Sequence, residues 1–172
     1  MFLTHTTPNR DMKKLDFWKE FWSVMPAGIF ILAGAAVSLL AHKDSQPPAV
    51  IGGFLLMTLG VCLELTVRDT LIKKAKFPGL LSTKRLMIVD EHKLITDGIF
   101  GHIRHPLYLG RIMADFGFAL FFSSLWGGVL MAISAPCFLL RIRIEEEMLI
   151  KEFGDAYHEY RKHTKKIIPY VY

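Results

Sequence analysis

The sequence predicts an all-α fold: a polytopic membrane helix bundle of about four transmembrane helices in two hairpins, with a cytoplasmic connector and an amphipathic C-terminal helix. Three observations carry this expectation. Four runs of nearly uncharged residues approach the ~20 residues that a helix needs to cross a hydrocarbon core of ~30 Å. Prolines or serines, not long polar loops, separate the runs within each pair. The charges cluster between and after the runs. Composition alone is undecided, because 52% hydrophobic and 22% charged residues suit a soluble domain almost as well. It excludes a disordered chain, which needs low hydrophobicity. The length of 172 residues indicates one domain, 1–172.

The first run, 24–41, holds no charge, and Pro26 lies in its first turn, where a missing N–H matters least. The segment before it, Asp16–Trp22, interleaves aromatics with charges, as interfacial stretches do, and Trp18 and Trp22 read as headgroup anchors. The 23 polar and amphipathic residues ahead of the run argue against a cleaved signal. Pro47 and Pro48 then break the helix before the second run, 49–67. Its one charge, Glu64, can pair with Arg68 one turn on. The third run, 107–122, carries Arg111 and Asp115, again at i, i+4. Charges inside a membrane segment point to function unless they satisfy each other. Ser123 and Ser124 alone separate it from the uncharged fourth run, 125–140. Beyond it, Met148, Leu149, Phe153, Tyr157 and Tyr160 recur at helical spacing, which predicts an amphipathic helix over 144–166, broken near Gly154. Pro169 ends regular structure.

With four spans, all of the 21 lysines and arginines except Lys43 and Arg111 fall on one side. The positive-inside rule makes that side cytoplasmic, so both termini and the connector face the cytoplasm in a multi-pass protein. The bilayer is thus an expected partner, and the net charge of +5 suits anionic headgroups. Dispersed basic residues that flank spans argue against nucleic acid. Cys62 and Cys137 both sit in apolar runs and read as small hydrophobes. No metal site is expected, because no carboxylate or cysteine completes His92, His102 and His105 at ligand spacing.

Polar residues concentrate in the second half. His102, Arg104, His105 and Tyr108 stand where the third span begins, and Arg141, Arg143 and Glu145–Glu147 where the fourth span ends. A tight hairpin of these two spans brings both groups to one membrane–water interface. Glu147 reads as surface.

These residues resemble a known family. Arg104-His105-Pro106-Leu107-Tyr108 fits the pattern RHPxY, and Glu145–Pro169 fits EExxLxxxFGxxYxxYxxxxxxxxP. With His92, Lys93, Leu94 and Ile95 upstream, the C-terminal half looks like the isoprenylcysteine carboxyl methyltransferase and phospholipid methyltransferase family. The resemblance implies S-adenosylmethionine as cofactor, held by roughly 85–172, and a lipophilic or small acceptor (carboxylate, thiol or amine) at the cytoplasmic interface. It implies cofactor binding by His92, Lys93, Leu94, Ile95, Phe100, Arg104, His105, Pro106, Leu107, Tyr108, Glu145 and Glu146. Arg141 would stand beside the reacting acceptor and, with Glu145, form the catalytic pair. Phe100 replaces the family's usual Tyr.

The residue types suit that chemistry. Arg104, His105 and backbone N–H groups at a helix start can receive the cofactor's carboxylate. Glu145 can accept from its ribose or ammonium. Phe100 and Tyr108 can pack on adenine or attract the sulfonium. The alternative is an NADPH-dependent membrane reductase of the sterol-reductase type, whose ending Ile168-Pro169-Tyr170-Val171-Tyr172 resembles. Leu107 stands where those proteins have Asn.

Overall fold

The structure, a computed structural model, describes residues 10–40, 46–75 and 94–169, with side chains from residue 25 onward in the first segment and up to 74 in the second. The elements are α1 (Arg10–Leu40), α2 (Pro47–Ala75), a 3-10 turn (Gly98–Gly101), α3 (Pro106–Phe121), α4 (Leu125–Phe153) and α5 (Asp155–His163). The described fold is therefore all-helical apart from one isolated parallel bridge, Ile103 with Lys165.

Local chemistry sets the boundaries. Pro106 opens α3 at a position where its missing N–H leaves no hydrogen bond unmade. Ser124 caps α4, its Oγ accepting from the Gly127 N–H at 3.1 Å. Gly154, at φ +52°, separates α4 from α5 in a conformation that a side chain would oppose.

Two helices, α2 over Pro47–Lys74 and α4, are long and apolar enough to cross a membrane. The apolar part of α1, Met25–Leu40, is shorter. The 16 residues of α3 extend about 24 Å, less than a hydrocarbon core of ~30 Å. The expectation of four full-length spans is thus met in length by two.

Three other expectations change. Pro26 lies inside α1, because the helix begins at Arg10 and continues through the aromatic segment. Membrane-type helices tolerate such a proline when neighbouring groups satisfy the freed carbonyl. The amphipathic segment is not a separate helix after the fourth span. It continues α4 without a break to Phe153, Pro136 included, and only α5 is distinct. Its residues favour helix as strongly as the apolar run before it, so no stop signal occurs before Gly154. Finally, sequence neighbours α1 and α2 scarcely touch among the described residues. Instead, α2 packs along α3 and α1 along α4, with α3 also against α4.

Glycines explain the pairing. Gly53 and Gly60 on α2 face Gly117 and Gly110 on α3, each pair seven residues apart. A Cβ on Gly117 would lie 2.3 Å from the Met57 N, and one on Gly60 would lie 2.5 Å from the Gly110 O. The two backbones are in direct contact, as small residues allow where no hydrophobic effect drives helices together. The α1–α4 seam uses the same device. Gly34 and Gly127 oppose each other, and Ser38 is buried beside them with its Oγ donating to the Gly34 O at 2.8 Å.

Gly117→Ala is therefore expected to lower stability in detergent by at least about 1–3 kcal/mol, the usual range for overpacking. Gly28→Ala, whose new Cβ would meet nothing within 4 Å, should leave the melting temperature unchanged or slightly higher. Thermal unfolding of both variants checks this, and equal melting temperatures would refute the backbone-contact account.

Candidate functional site

The chain approaches α3 in an extended conformation that the C-terminal strap, residues 164–167, holds in place. Arg104 N–H donates to the Lys165 O at 2.8 Å, His105 N–H to the Lys166 O at 3.0 Å, and Lys165 N–H to the His102 O at 3.0 Å. Ile103 and Ile167 are buried and pin the two strands from the apolar side. Ile167 packs with Tyr108 of α3 and Ile142 of α4, so one apolar cluster fixes strap, α3 and α4 together.

Side chains from α3 and α4 meet above this cluster. The Tyr108 hydroxyl donates to Glu145 Oε1 and accepts from Arg141 Nε at 2.8 Å. Arg141 Nε also lies 3.3 Å from Glu145 Oε1, an i, i+4 pair on α4. The Tyr108 ring packs against Phe138, with centroids 5.7 Å apart. Glu145 is thereby held by a hydroxyl and a guanidinium that are themselves buried.

His105 sits between two carboxylates. Its Nδ1 is 3.4 Å from Glu145 Oε2 and its Nε2 is 3.5 Å from Glu146 Oε1. Burial disfavours the imidazolium, yet hydrogen bonding to Glu145 and charge attraction from Glu145 and Glu146 outweigh it and raise the His105 pKa above its ordinary 6.5. The contact to Glu146 is one of charge, and among the described residues the buried Nε2 has no hydrogen-bond partner.

Arg104 closes the other flank. Its Nε donates to Glu146 Oε1 at 2.8 Å, and its Nη1 to the carbonyls of Arg161 and Thr164 and to the Thr164 hydroxyl. Arg161 Nη2 adds a longer contact, 3.9 Å, to Glu146 Oε2. On α5 the Tyr160 hydroxyl donates to the Phe100 O at 2.6 Å, and burial, only partly opposed by Arg104, pushes its pKa up to about 12. The Tyr157 hydroxyl is buried and has no hydrogen-bond partner among the described residues.

The structure thus brings together Arg104, His105, Tyr108, Arg141, Glu145 and Glu146. Pro106 is buried at the helix start, Phe100 is buried under α5, and Leu107 is half-buried beside them. Leu94 and Ile95 are half-buried, with no hydrogen bond to the cluster, and His92 and Lys93 lie outside the described residues. Glu147 is exposed.

Arg104 and His105, with N–H groups at a helix start, are expected to receive the cofactor's carboxylate. In the structure Arg104 donates within the protein, to Glu146, Arg161 and Thr164, and the N–H groups of Arg104 and His105 donate to Lys165 and Lys166. Sequence reasoning did not place Thr164, Tyr157 or Tyr160 in the site. The two tyrosines could have been found from their spacing behind Glu145. Thr164 acts largely through its backbone carbonyl, which no residue type signals.

The cluster has two guanidiniums, two carboxylates and a histidine whose pKa the carboxylates raise. Among the described residues, one ring nitrogen and one phenol, both buried, lack a hydrogen-bond partner, and the Glu145 side chain is 19% exposed. Such a set suits a polar ligand with hydrogen-bonding groups and a positive charge that a carboxylate can face.

Comparison with known proteins adds to this. The family model of the phospholipid methyltransferases matches residues 48–156. The protein-S-isoprenylcysteine O-methyltransferase of Schizosaccharomyces pombe is 27% identical over 164 residues, covering 89% of this chain and 68% of that protein. The human enzyme of the same name is 29% identical over 123 residues, 70% of this chain and 41% of that one. Among solved structures, a eukaryotic intramembrane Ras methyltransferase, isoprenylcysteine carboxyl methyltransferase, aligns with 96% of this chain and 55% of its own, at a TM-score of 0.54 and 24% identity. That likeness is one of fold. The chain spans well under two thirds of the length of most of these relatives.

The raised His105 pKa has a sign. Its imidazolium stabilises the fold fully below the ordinary value of 6.5, and that contribution is lost as pH rises through the higher folded value. Melting temperature should therefore fall from pH 6.5 upward, and His105→Gln should flatten the fall. An unchanged slope in the variant would contradict the assignment.

Proposed function

The chain belongs to the phospholipid methyltransferase family, and on that premise we propose that it moves a methyl group from S-adenosylmethionine to a lipophilic acceptor at the cytoplasmic face of a membrane. The observation that carries this is the hydrogen-bonded unit Tyr108–Glu145–Arg141, buried between α3 and α4 next to His105. The names of the relatives favour a prenylated cysteine carboxylate as the acceptor. None of the relatives described above is a reductase, and the reductase alternative is not carried forward. The basic flanks of the apolar helices support placing both termini and the site in the cytoplasm.

When bound, S-adenosylmethionine supplies an electrophilic methyl group on a sulfonium. Glu145 would accept hydrogen bonds from the donor's hydroxyl or ammonium groups, and its geometry is preset by Tyr108 and Arg141. His105 would offer its unpartnered Nε2, and Tyr157 its unpartnered hydroxyl. Leu94, Ile95, Phe100, Leu107, His92 and Lys93 would complete the wall, as the family resemblance implies. Glu146 and Arg104 do not need to touch the donor. They hold His105 and the strap in register.

A carboxylate acceptor is already ionised at neutral pH, so the protein has to orient it rather than take its proton. Arg141 is placed for that task, because its guanidinium stands beside Glu145 at the end of α4's apolar stretch. Orientation of two reactants in a site closed to water can contribute ~7–11 kcal/mol of the barrier.

Calorimetry on purified protein should show binding of S-adenosylmethionine and of its demethylated product, and no binding of NADPH. Glu145→Ala should weaken that affinity about 10- to 100-fold, as loss of a hydrogen bond to a charged group does. Arg141→Ala should keep affinity, since Tyr108 still holds Glu145, and should lower turnover of a prenylcysteine substrate. Equal affinity loss in both variants would refute this division of roles, and binding of NADPH alone would refute the methyl-transfer reading.

A further inference from the structure

Four charged side chains lie apart from the His105–Glu145 cluster, where α2 meets α3. Arg68 pairs with Glu64 one turn earlier on α2, and Arg111 Nε donates to Asp115 Oδ2 at 3.1 Å on α3. The helices are in close contact at this level: a Cβ on Gly110 would lie 3.0 Å from the Glu64 N. Glu64 is also within electrostatic reach of Asp115. Two cations face two anions, but they differ in exposure. The side chains of Arg68, Glu64 and Asp115 are 12%, 15% and 10% exposed, and that of Arg111 is 43% exposed. Among the described residues, Asp115 is the one acceptor that Arg111 meets, and it meets it through Nε. The edge formed by the two Nη groups is left to its surroundings.

The position of that edge matters. No charge occurs on α2 from Pro47 to Leu63, so Glu64 marks the end of its apolar stretch, and Gly110, the residue before Arg111, packs against the Glu64 backbone. It is five residues into α3, about 7 Å along the axis from the helix start. Near the hydrocarbon boundary, where water is scarcer, guanidinium donors that no group among the described residues meets gain from an oxyanion partner. The Nη edge, unmet among the described residues, has the fork geometry that binds a carboxylate or phosphate through two hydrogen bonds. Asp115 on the other edge fixes the plane of the fork.

We propose that Arg111, braced by Asp115, is an oxyanion-binding position for an amphiphile, one helical turn along α3 from Tyr108. Its ligand is an anionic lipid, a phosphate head on apolar chains. The proposal does not rest on the methyl-transfer reading, which places the acceptor carboxylate at Arg141. The Glu64–Arg68 pair keeps the neighbouring charges of α2 internally matched, so the anion is drawn to Arg111.

The test uses full-length Arg111→Gln and Arg111→Lys protein with two readouts. One is the KM for a farnesylcysteine carboxylate in nanodiscs of zwitterionic lipid. The other is the rise in melting temperature when phosphatidylglycerol is added in neutral detergent, with no acceptor or methyl donor present. If a lipid phosphate binds here, Arg111→Gln removes the stabilisation by phosphatidylglycerol while KM holds, because the reacting carboxylate lies at Arg141. A raised KM with the stabilisation intact would overturn the proposal. Arg111→Lys keeps the charge without the fork and should recover part of the stabilisation, and it serves as the test if the glutamine variant fails to fold. Wild-type values in both readouts overturn the proposal. The lipid readout needs no turnover, so an inactive protein would count against methyl transfer and not against this site.

Discussion

The ion pair between Arg104 and Glu146 is buried on both sides and joins three parts of the chain that are distant in sequence. Arg104 belongs to the extended approach to α3, Glu146 to the polar half of α4, and the carbonyls of Arg161 and Thr164, which share the guanidinium, to the end of α5 and the strap. A buried pair of this kind adds little net stability over a well-packed apolar pair. Losing one partner is another matter, because the other is left as an uncompensated charge, at a cost of about 3–5 kcal/mol. The pair therefore acts as a condition on the fold: α3, α4 and the strap must arrive together. The His105 ring, its neighbour in sequence, has its place between Glu145 and Glu146 fixed as a result.

The apolar half of the molecule follows a different constraint. In lipid, or between helices with apolar surfaces on every side, burial does not select a partner. Close backbone approach does. Gly53 and Gly60 can lie only where another backbone can come as near as Gly110 and Gly117 allow, and this puts α2 on α3. The same holds for Gly34 against Gly127, which puts α1 on α4. The exposed large residues of α2, Ile51, Phe54, Leu55 and Leu59 among them, lie away from these contacts, as expected of a surface turned to lipid. With α3 held by α2 on one side and α4 on the other, Tyr108 and Arg141 are brought to hydrogen-bonding distance.

Much of this was legible in the sequence. Long uncharged runs identified the helices, and Pro106, Ser124 and Gly154 marked boundaries where backbone chemistry demands them. The two polar groups at Arg104–Tyr108 and Arg141–Glu146 do converge, because a three-residue turn at 122–124 leaves α3 and α4 little choice. The pairs Glu64–Arg68 and Arg111–Asp115 both form at the expected spacing. What could not be read was which helix lies on which. Glycine spacing of seven is visible on α2 and α3, but it names no partner. The role of Arg104 was also hidden. Two of its acceptors are main-chain carbonyls, of Arg161 and Thr164, and a carbonyl is the same on every residue. The continuity of α4 through Glu145 was missed for the opposite reason: a change from apolar to polar residues looks like a boundary, but hydrogen bonding along a helix is indifferent to it.

The strap has a consequence for how the molecule comes into being. The hydrogen bonds that hold residues 102–105 in place come from Lys165 and Lys166, some sixty positions later in the chain. During synthesis α2 and α3 can enter the bilayer and pair through their glycines before those carbonyls leave the ribosome. Until then the Arg104 guanidinium and the N–H groups at the start of α3 must be served by water. Pairing of these helices and closure of the Arg104 contacts are thus separate events in time, the first governed by lipid and glycine, the second by a stretch of chain translated after the helices it joins. That closure is a docking of extended chain made in water, beyond the apolar helices.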